Sequence, residues 1–172
     1  VSGGEPKRLA RTISESGHHL ERLLNDLLDL SRLEAGKMPL HAAPFDLDEF
    51  AAEARDVWQP RSDGKRVALR IHVEDGTPRI EADALRLRQI LFNLIGNAVK
   101  FTRSGGVRVD ITGTPGADGA VRLALSVSDT GPGIAEADQQ TLFEHFERGA
   151  AERDGAESGA GLGLAMVRRL VE

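Results

Sequence analysis

Asn93, Asn97 and Lys100 stand four and three residues apart, a spacing that stacks two amides and an ammonium along one ridge of a helix. Mid-helix asparagines cost helix propensity relative to alanine or leucine, so a ridge of them points to a use outside the helix. A neutral amide carbonyl suits Mg²⁺, which keeps several waters and takes most of its oxygens from phosphates. Lys100, one turn on, would then meet a phosphate as a point charge. Taken alone, the ridge also reads as an ordinary polar outer face.

Two glycine-containing strings complete the candidate chemistry. In DTGPGI, residues 129–134, Gly131 and Gly133 let the backbone approach a flat ligand, with Ile134 closing the same turn. Asp129 offers a carboxylate acceptor at a strand end, suited to an exocyclic amino group such as that of adenine. As a lone string it is equally a tight turn. In SGAGLGLAM, residues 158–166, Gly159, Gly161 and Gly163 alternate with Ala160, Leu162 and Leu164 and lead into a helix, where free backbone N–H groups suit phosphate. A loop and helix start without ligand is the other reading. Between the strings, LFEHFER places Phe143 and Phe146 three apart as an apolar anchor and ends in Arg148, either a surface arginine or a cation within reach of a transferring phosphoryl group.

The elements that must position these residues follow from periodicity. Leu87, Ile90, Leu91, Leu94, Ile95 and Ala98 make the apolar stripe of a helix over 85–101, with the asparagines on its opposite face. Residues 67–73, 107–113 and 121–129 alternate as strands, the last two joined by the turn-rich TPGADG, and 79–82 reads as a short neighbour of the first strand. Asp46 caps a helix to about residue 58, which 60–65 breaks at Pro60; a short helix is expected over 139–146, a glycine- and charge-rich loop over 149–161, and a last helix from 161 onward. Helices that alternate irregularly with hairpin-linked strands predict an α+β fold, a two-layer sandwich of a mixed sheet faced by helices. Residues 39–45 carry two prolines, expected to prevent regular pairing and to make a linker.

Before the linker, residues 9–33 follow a heptad rule, with Ile13, Leu20 and Leu27 in one column and Ser16, Leu23 and Leu30 in the other. Leu24 and Leu28 widen the stripe toward that of a multi-helix bundle, and Gly36 ends the helix.

Composition sets outer bounds. With 172 residues, 40% hydrophobic and 28% charged, the chain has the profile of a folded soluble domain and not of a disordered tail. Zero cysteines exclude disulfides and thiolate chemistry, and a net charge of −5 argues against binding nucleic acid backbone. No apolar run approaches the ~18 residues of a membrane span, and no secretory signal opens the sequence. A GxxxxGK[ST] phosphate loop is absent, and GAGLGL follows a loop instead of a strand, so the dinucleotide fingerprint fails its context.

Together, an amide ridge, a strand-end DxGxG, a paired phenylalanine and a glycine-rich helix start occur in one order, and the chain resembles the ATP-binding domain of sensor histidine kinases, in the superfamily shared with gyrase, Hsp90 and MutL. The resemblance covers about residues 46–172. HLERLLNDLLDLSRLEAGKM resembles the second helix of the family's dimerisation hairpin, which divides the chain into 1–38, a linker at 39–45 and a catalytic domain at 46–172. The resemblance implies ATP and Mg²⁺ as cofactors. It places Asn97 on the metal with Asn93 assisting, Lys100 on phosphate, Phe101 on adenine and Asp129 on the adenine amino group. Gly131, Gly133, Ile134 and Phe146 join the nucleotide positions. Residues 149–161 would be a lid closing through Gly159, Gly161 and Gly163, with Leu162 and Leu164 between and after them, and Arg148 would lie near the γ-phosphate. Ala160 departs from the pattern, where a hydroxyl residue is frequent.

Gyrase- and Hsp90-type ATPases carry a water-activating glutamate where this chain has Asn93, so the resemblance implies phosphoryl transfer over hydrolysis. No HExRTP-like acceptor segment is present, and His18 and His19, followed by Leu20, read as solvated polar positions. The acceptor histidine is therefore expected on a separate segment, and the sequence is expected to lack the first hairpin helix and the final strands. The implied partners are a response regulator receiver domain and a second copy through the heptad helix, with no nucleic acid or membrane contact and a cytoplasmic location. Two rival readings are an ATP-hydrolysing conformational switch and a non-catalytic kinase-like module.

Overall fold

Alternation of apolar residues assembles the sheet. In the computed structural model, which describes residues 4–77, 79–116, 119–139, 141–143 and 162–172, β2 (Ala68–Val73) runs parallel to β4 (Gly106–Pro115), with Ile71 opposite Val109 and Val73 opposite Ile111. The hairpin partner β5 (Val121–Asp129) returns antiparallel, setting Val127 opposite Val109 and Asp129 opposite Val107. The order β2-β4-β5 is the expected mixed sheet. Val107, Val109 and Ile111 are buried on its inner face while Arg108 and Asp110 chelate each other on the outer one.

Two helices cover the inner face. Asp46 caps α2 (Leu47–Lys65), its Oδ1 accepting the Asp48 and Glu49 N–H groups at 2.9 and 3.1 Å. Leu47, Phe50, Ala51 and Ala54 then bury one stripe against Leu91, Ile95, Ala98 and Val99 of α3 (Ala84–Phe101) and against the strands. The expected break at Pro60 is corrected: α2 continues through it to Lys65. Pro60 is exposed, so the carbonyl it leaves without a donor faces water, while Ser62 on the other side is buried and its hydroxyl donates to the Val67 carbonyl. The helix ends where Arg66 turns left-handed, φ 57°, and its N–H reaches the carbonyls of Ser62 and Asp63.

The expectation that the prolines of 39–45 prevent regular pairing is also corrected. Ala43–Phe45 forms strand β1, antiparallel to β3 (Ile80–Ala82), with Phe45 opposite Ile80. Pro44 is tolerated because β1 lies at the edge of a two-stranded ribbon, where a missing N–H costs no ladder bond. β3 accordingly pairs with β1 and not with β2. Asp83 fastens the junction: its Oδ1 accepts the Leu85 and Arg86 N–H groups at 3.0 and 3.1 Å, and its Oδ2 accepts the His41 N–H at 2.9 Å.

The long helix α1 (Gly4–Glu34) leaves Leu9, Ile13, Leu20, Leu24, Leu27 and Leu28 exposed. The side chains of Leu23, His18 and His19 lie outside the described residues. Among the described residues its last turns meet the domain: Leu30 is buried with Leu162 and Met166, flanked by Leu33 and Leu170, where α5 (Gly163–Val171) packs. A short helix α4 (Glu136–Gln139) has its single turn closed by the N–H groups of Asp138 and Gln139 on the Ala135 carbonyl, while the helix expected over 139–146 lies largely outside the described residues. Among the described residues no helix is long and apolar enough to cross a membrane.

Burial alone pushes the Asp83 carboxyl up, but the N–H groups of His41, Arg86 and Leu85 and the Arg86 charge outweigh it and hold it below its ordinary value. A depressed carboxylate stabilises the fold above its unfolded pKa of about 3.9 and loses that contribution as pH falls through the folded value. Asp83→Asn, which keeps a good cap but turns a donor toward His41, should lower the melting temperature by about 2–4 °C near pH 7. The difference from the parent should shrink below about pH 4 in thermal melts followed by circular dichroism.

Candidate functional site

The end of β5 is tied down before it turns. The Thr130 N–H donates to the Gly106 carbonyl at 3.1 Å, and its hydroxyl donates to the Ser104 carbonyl at 2.9 Å and accepts the Gly106 N–H at 3.0 Å. The next N–H, of Gly131, donates to Asp129 Oδ1 at 2.7 Å, which fixes the carboxylate and leaves its second oxygen without a hydrogen bond among the described residues. Gly131 also lies on the end of α3: a methyl group there would come 3.3 Å from the Phe101 carbonyl oxygen and 2.7 Å from Asp129 Oδ1. Gly133, φ +73°, turns the chain back. Asp129, Gly131, Gly133, Ile134, Gln139, Leu142 and Phe143 line a cavity of about 460 Å³, in the range of small-ligand sites. The Gln139 side-chain amide donates to the Ile134 carbonyl at 2.9 Å and fastens the far wall.

α3 is gripped on two flanks. A methyl group at Gly96 would come 3.0 Å from the Trp58 ring, so glycine there lets α2 and α3 close up, with Trp58 also edge-on to Phe92 at 6.0 Å between centroids. On the asparagine flank, a methyl group at Gly163 would come 3.1 Å from Asn93 Oδ1, which brings the start of α5 against the amide ridge. Asn93, Asn97 and Lys100 are half-buried, with the start of α5 against Asn93. Leu94, expected in the buried stripe, is half-buried, and Val99 is in the core instead. The Lys100 ammonium sits 4.7 Å over the Phe101 ring, and the Lys65 ammonium donates to the Lys100 carbonyl at 3.3 Å.

The structure thus gathers Asp129, Gly131, Gly133 and Ile134 at one cavity, Phe101 behind Gly131, and Asn93 beside Gly163. Asn97, Lys100 and Phe101 do not line the cavity. The Leu162 side chain packs with Leu30 and Met166, and Leu164 is half-buried on α5. Leu162, at the N-cap of α5, offers no side-chain acceptor, so among the described residues no side-chain cap takes up the first N–H groups of the helix. Phe146, Arg148, Gly159 and Gly161, and the proposed lid over 149–161, lie outside the described residues. Sequence reasoning missed Thr130, whose place between Asp129 and Gly131 was its only local signal, and Gln139 and Leu142, which had none. A cation would fit this donor set in one way: among the described residues no three His, Asp or Glu side chains gather, so phosphate oxygens would supply most ligands and an amide carbonyl the rest.

Comparison with known proteins places this geometry. Residues 82–172 match the family model described as histidine kinase-, DNA gyrase B- and HSP90-like ATPase. The chain is 39% identical over 175 residues to the autoinducer 2 sensor kinase/phosphatase LuxQ of Vibrio parahaemolyticus, across 100% of this chain and 20% of that protein. It is 36% identical over 161 residues to the signal transduction histidine-protein kinase BarA of Escherichia coli, across 93% of this chain and 18% of that protein. The chain therefore spans about a fifth of the length of these curated relatives. The crystal structure of full-length ShkA in complex with AMPPNP superposes with a TM-score of 0.81 at 40% identity, over 97% of this chain and 34% of that one. The Acinetobacter baumannii histidine kinase AdeS, at 24% identity and a TM-score of 0.73 over 95% of this chain and 72% of that one, has the same fold. With the family match, the close kinase relatives and the site geometry in agreement, the chain belongs to the histidine kinase-, DNA gyrase B- and HSP90-like ATPase family, as an ATP-binding catalytic domain of the histidine kinase kind.

Proposed function

We propose that this domain binds Mg·ATP and passes the γ-phosphoryl group to a histidine on a hairpin segment outside this sequence, for two-component signalling. The observation that carries the reading is the braced carboxylate: Asp129 commits one oxygen to the Gly131 N–H at 2.7 Å and stands at the wall of the cavity of about 460 Å³. Its second oxygen suits the adenine amino group, while Gly131 and Gly133 leave room for the flat ring, with Ile134 and Phe143 as apolar walls. The N–H groups at the start of α5, uncapped by a side chain among the described residues and beside Asn93, suit the phosphates, and a full-length relative was crystallised with AMPPNP.

Asn97 would hold Mg²⁺ with Asn93 assisting, and the ion would supply neutralisation of phosphate charge. Lys100 reaches phosphate by leaving the Phe101 ring, and Phe101 then faces adenine. Asn93 is neutral and cannot take a proton from water, which favours transfer to an imidazole nitrogen: the bond from the γ-phosphorus to the bridging oxygen breaks as the nitrogen–phosphorus bond forms. Residues 149–161 would close over the nucleotide, with Phe146 beneath them and Arg148 near the γ-phosphate. A response regulator receiver domain takes the phosphoryl group onward. The exposed column of Ile13, Leu20 and Leu27, widened by Leu24, pairs α1 with the rest of a helical hairpin and with a second copy, in the cytoplasm.

Asp129→Asn should weaken ATP binding by about 10- to 100-fold in calorimetric titration, because an amide donor then opposes the adenine donor; unchanged affinity sinks the adenine assignment. Asn97→Ala should weaken binding in the presence of Mg²⁺ and leave binding in chelator nearly unaltered, whereas equal losses in both would remove it from the metal. With a separate acceptor hairpin and labelled ATP, acid-labile, base-stable phosphohistidine should accumulate on the hairpin; steady release of inorganic phosphate without it would identify an ATPase instead.

A further inference from the structure

One turn at the end of α1 touches both α3, which carries the amide ridge, and α5, which lies against it. Asp29 Oδ2 accepts from Arg86 Nη1 at 2.7 Å, and Arg86 Nη1 also donates to Gln89 Oε1 at 2.9 Å, while the Gln89 amide reaches the same Asp29 oxygen at 3.4 Å. The pair joins residues 57 apart in sequence, and its side chains are only 17% and 22% exposed, so solvent screens it far less than an ordinary surface ion pair. Arg86 is in the first turn of α3, directly after the Asp83 cap that also binds the linker at His41. The next residue of α1, Leu30, is buried on Leu162 and Met166 at the start of α5, the helix whose Gly163 lies against Asn93. Among the described residues Arg86 Nε is buried without a partner, so loss of Asp29 leaves a desolvated guanidinium with Gln89 as its remaining described side-chain acceptor.

We infer that Asp29 and Arg86 form a latch that sets the orientation of α1 on the domain and, through Leu30 and the start of α5, couples that orientation to nucleotide affinity. They are positioning residues: neither touches the cavity, and both act through the elements they hold. This rests on the nucleotide reading of the site. The coupling is reciprocal, so nucleotide must favour the latched orientation by the same factor by which the latch favours nucleotide.

The natural absence of cysteine allows a spin-label pair at Asn25→Cys and Asp75→Cys, both exposed, with labelled chain diluted in unlabelled chain to isolate distances within one copy. The parent should give a narrow distance distribution. Asp29→Asn and Arg86→Gln should each broaden it, weaken AMP-PNP binding by at least about fivefold, and regain a narrower distribution when AMP-PNP saturates the site. The charge exchange Asp29→Arg with Arg86→Asp should restore both readouts relative to the single variants. Distributions as narrow as the parent's in both single variants, affinity unchanged in both, or an exchange no better than the singles would each overturn the latch. Absence of AMP-PNP binding in the parent would overturn the nucleotide reading instead, and near-parental circular dichroism separates either result from unfolding.

Discussion

The structure depends on one helix being wanted on three sides at once. α3 must bury Leu91, Ile95, Ala98 and Val99 in the core, admit the Trp58 ring at Gly96, and turn Asn93 toward Gly163. Those demands fall on different faces of a single rod, so its rotation about its own axis has little freedom. A shift that relieved the contact at Gly96 would move Asn93 away from the start of α5. The apolar core therefore does more than stabilise the domain: it aims the amide ridge.

Preorganisation at the other end of the site is made of hydrogen bonds. Thr130 ties the strand end to the Ser104–Gly106 turn at both its N–H and its hydroxyl, and Gly131 fixes the Asp129 carboxylate at 2.7 Å. A side chain already held in place loses little rotamer freedom when ligand arrives, so more of the interaction survives as affinity. The same logic applies to charge. A chain of net charge −5 must still attract a polyanion, and under the proposed function neutral amides, backbone N–H groups and a lysine resting on an aromatic ring would do so. This arrangement avoids a buried cation cluster that would be costly when empty.

Joining the long helix to this domain uses both kinds of contact. Leu30 gives the junction apolar area, which is tolerant of direction, and the Asp29–Arg86–Gln89 triad gives it geometry. Before that turn α1 leaves Leu9, Ile13, Leu20, Leu24, Leu27 and Leu28 exposed, so among the described residues the helix is docked at one end.

By itself the sequence determined what depends on periodicity and residue type. The strands and most of the buried stripe of α3 could be read from spacing, since burying one face of a regular element demands it. The ordered set of asparagines, strand-end aspartate and glycine turns named the ligand chemistry, because those side chains have few other reasons to recur together. Tertiary structure alone decided the prolines: Pro44 pairs because β1 is an edge, and Pro60 stays helical because its open side faces water. It also decided that the asparagine flank is half-buried, that β3 joins β1, and that Asp29 meets Arg86, since each depends on an element distant in the chain. Local pattern records which way a residue must face; only the folded chain supplies what it faces.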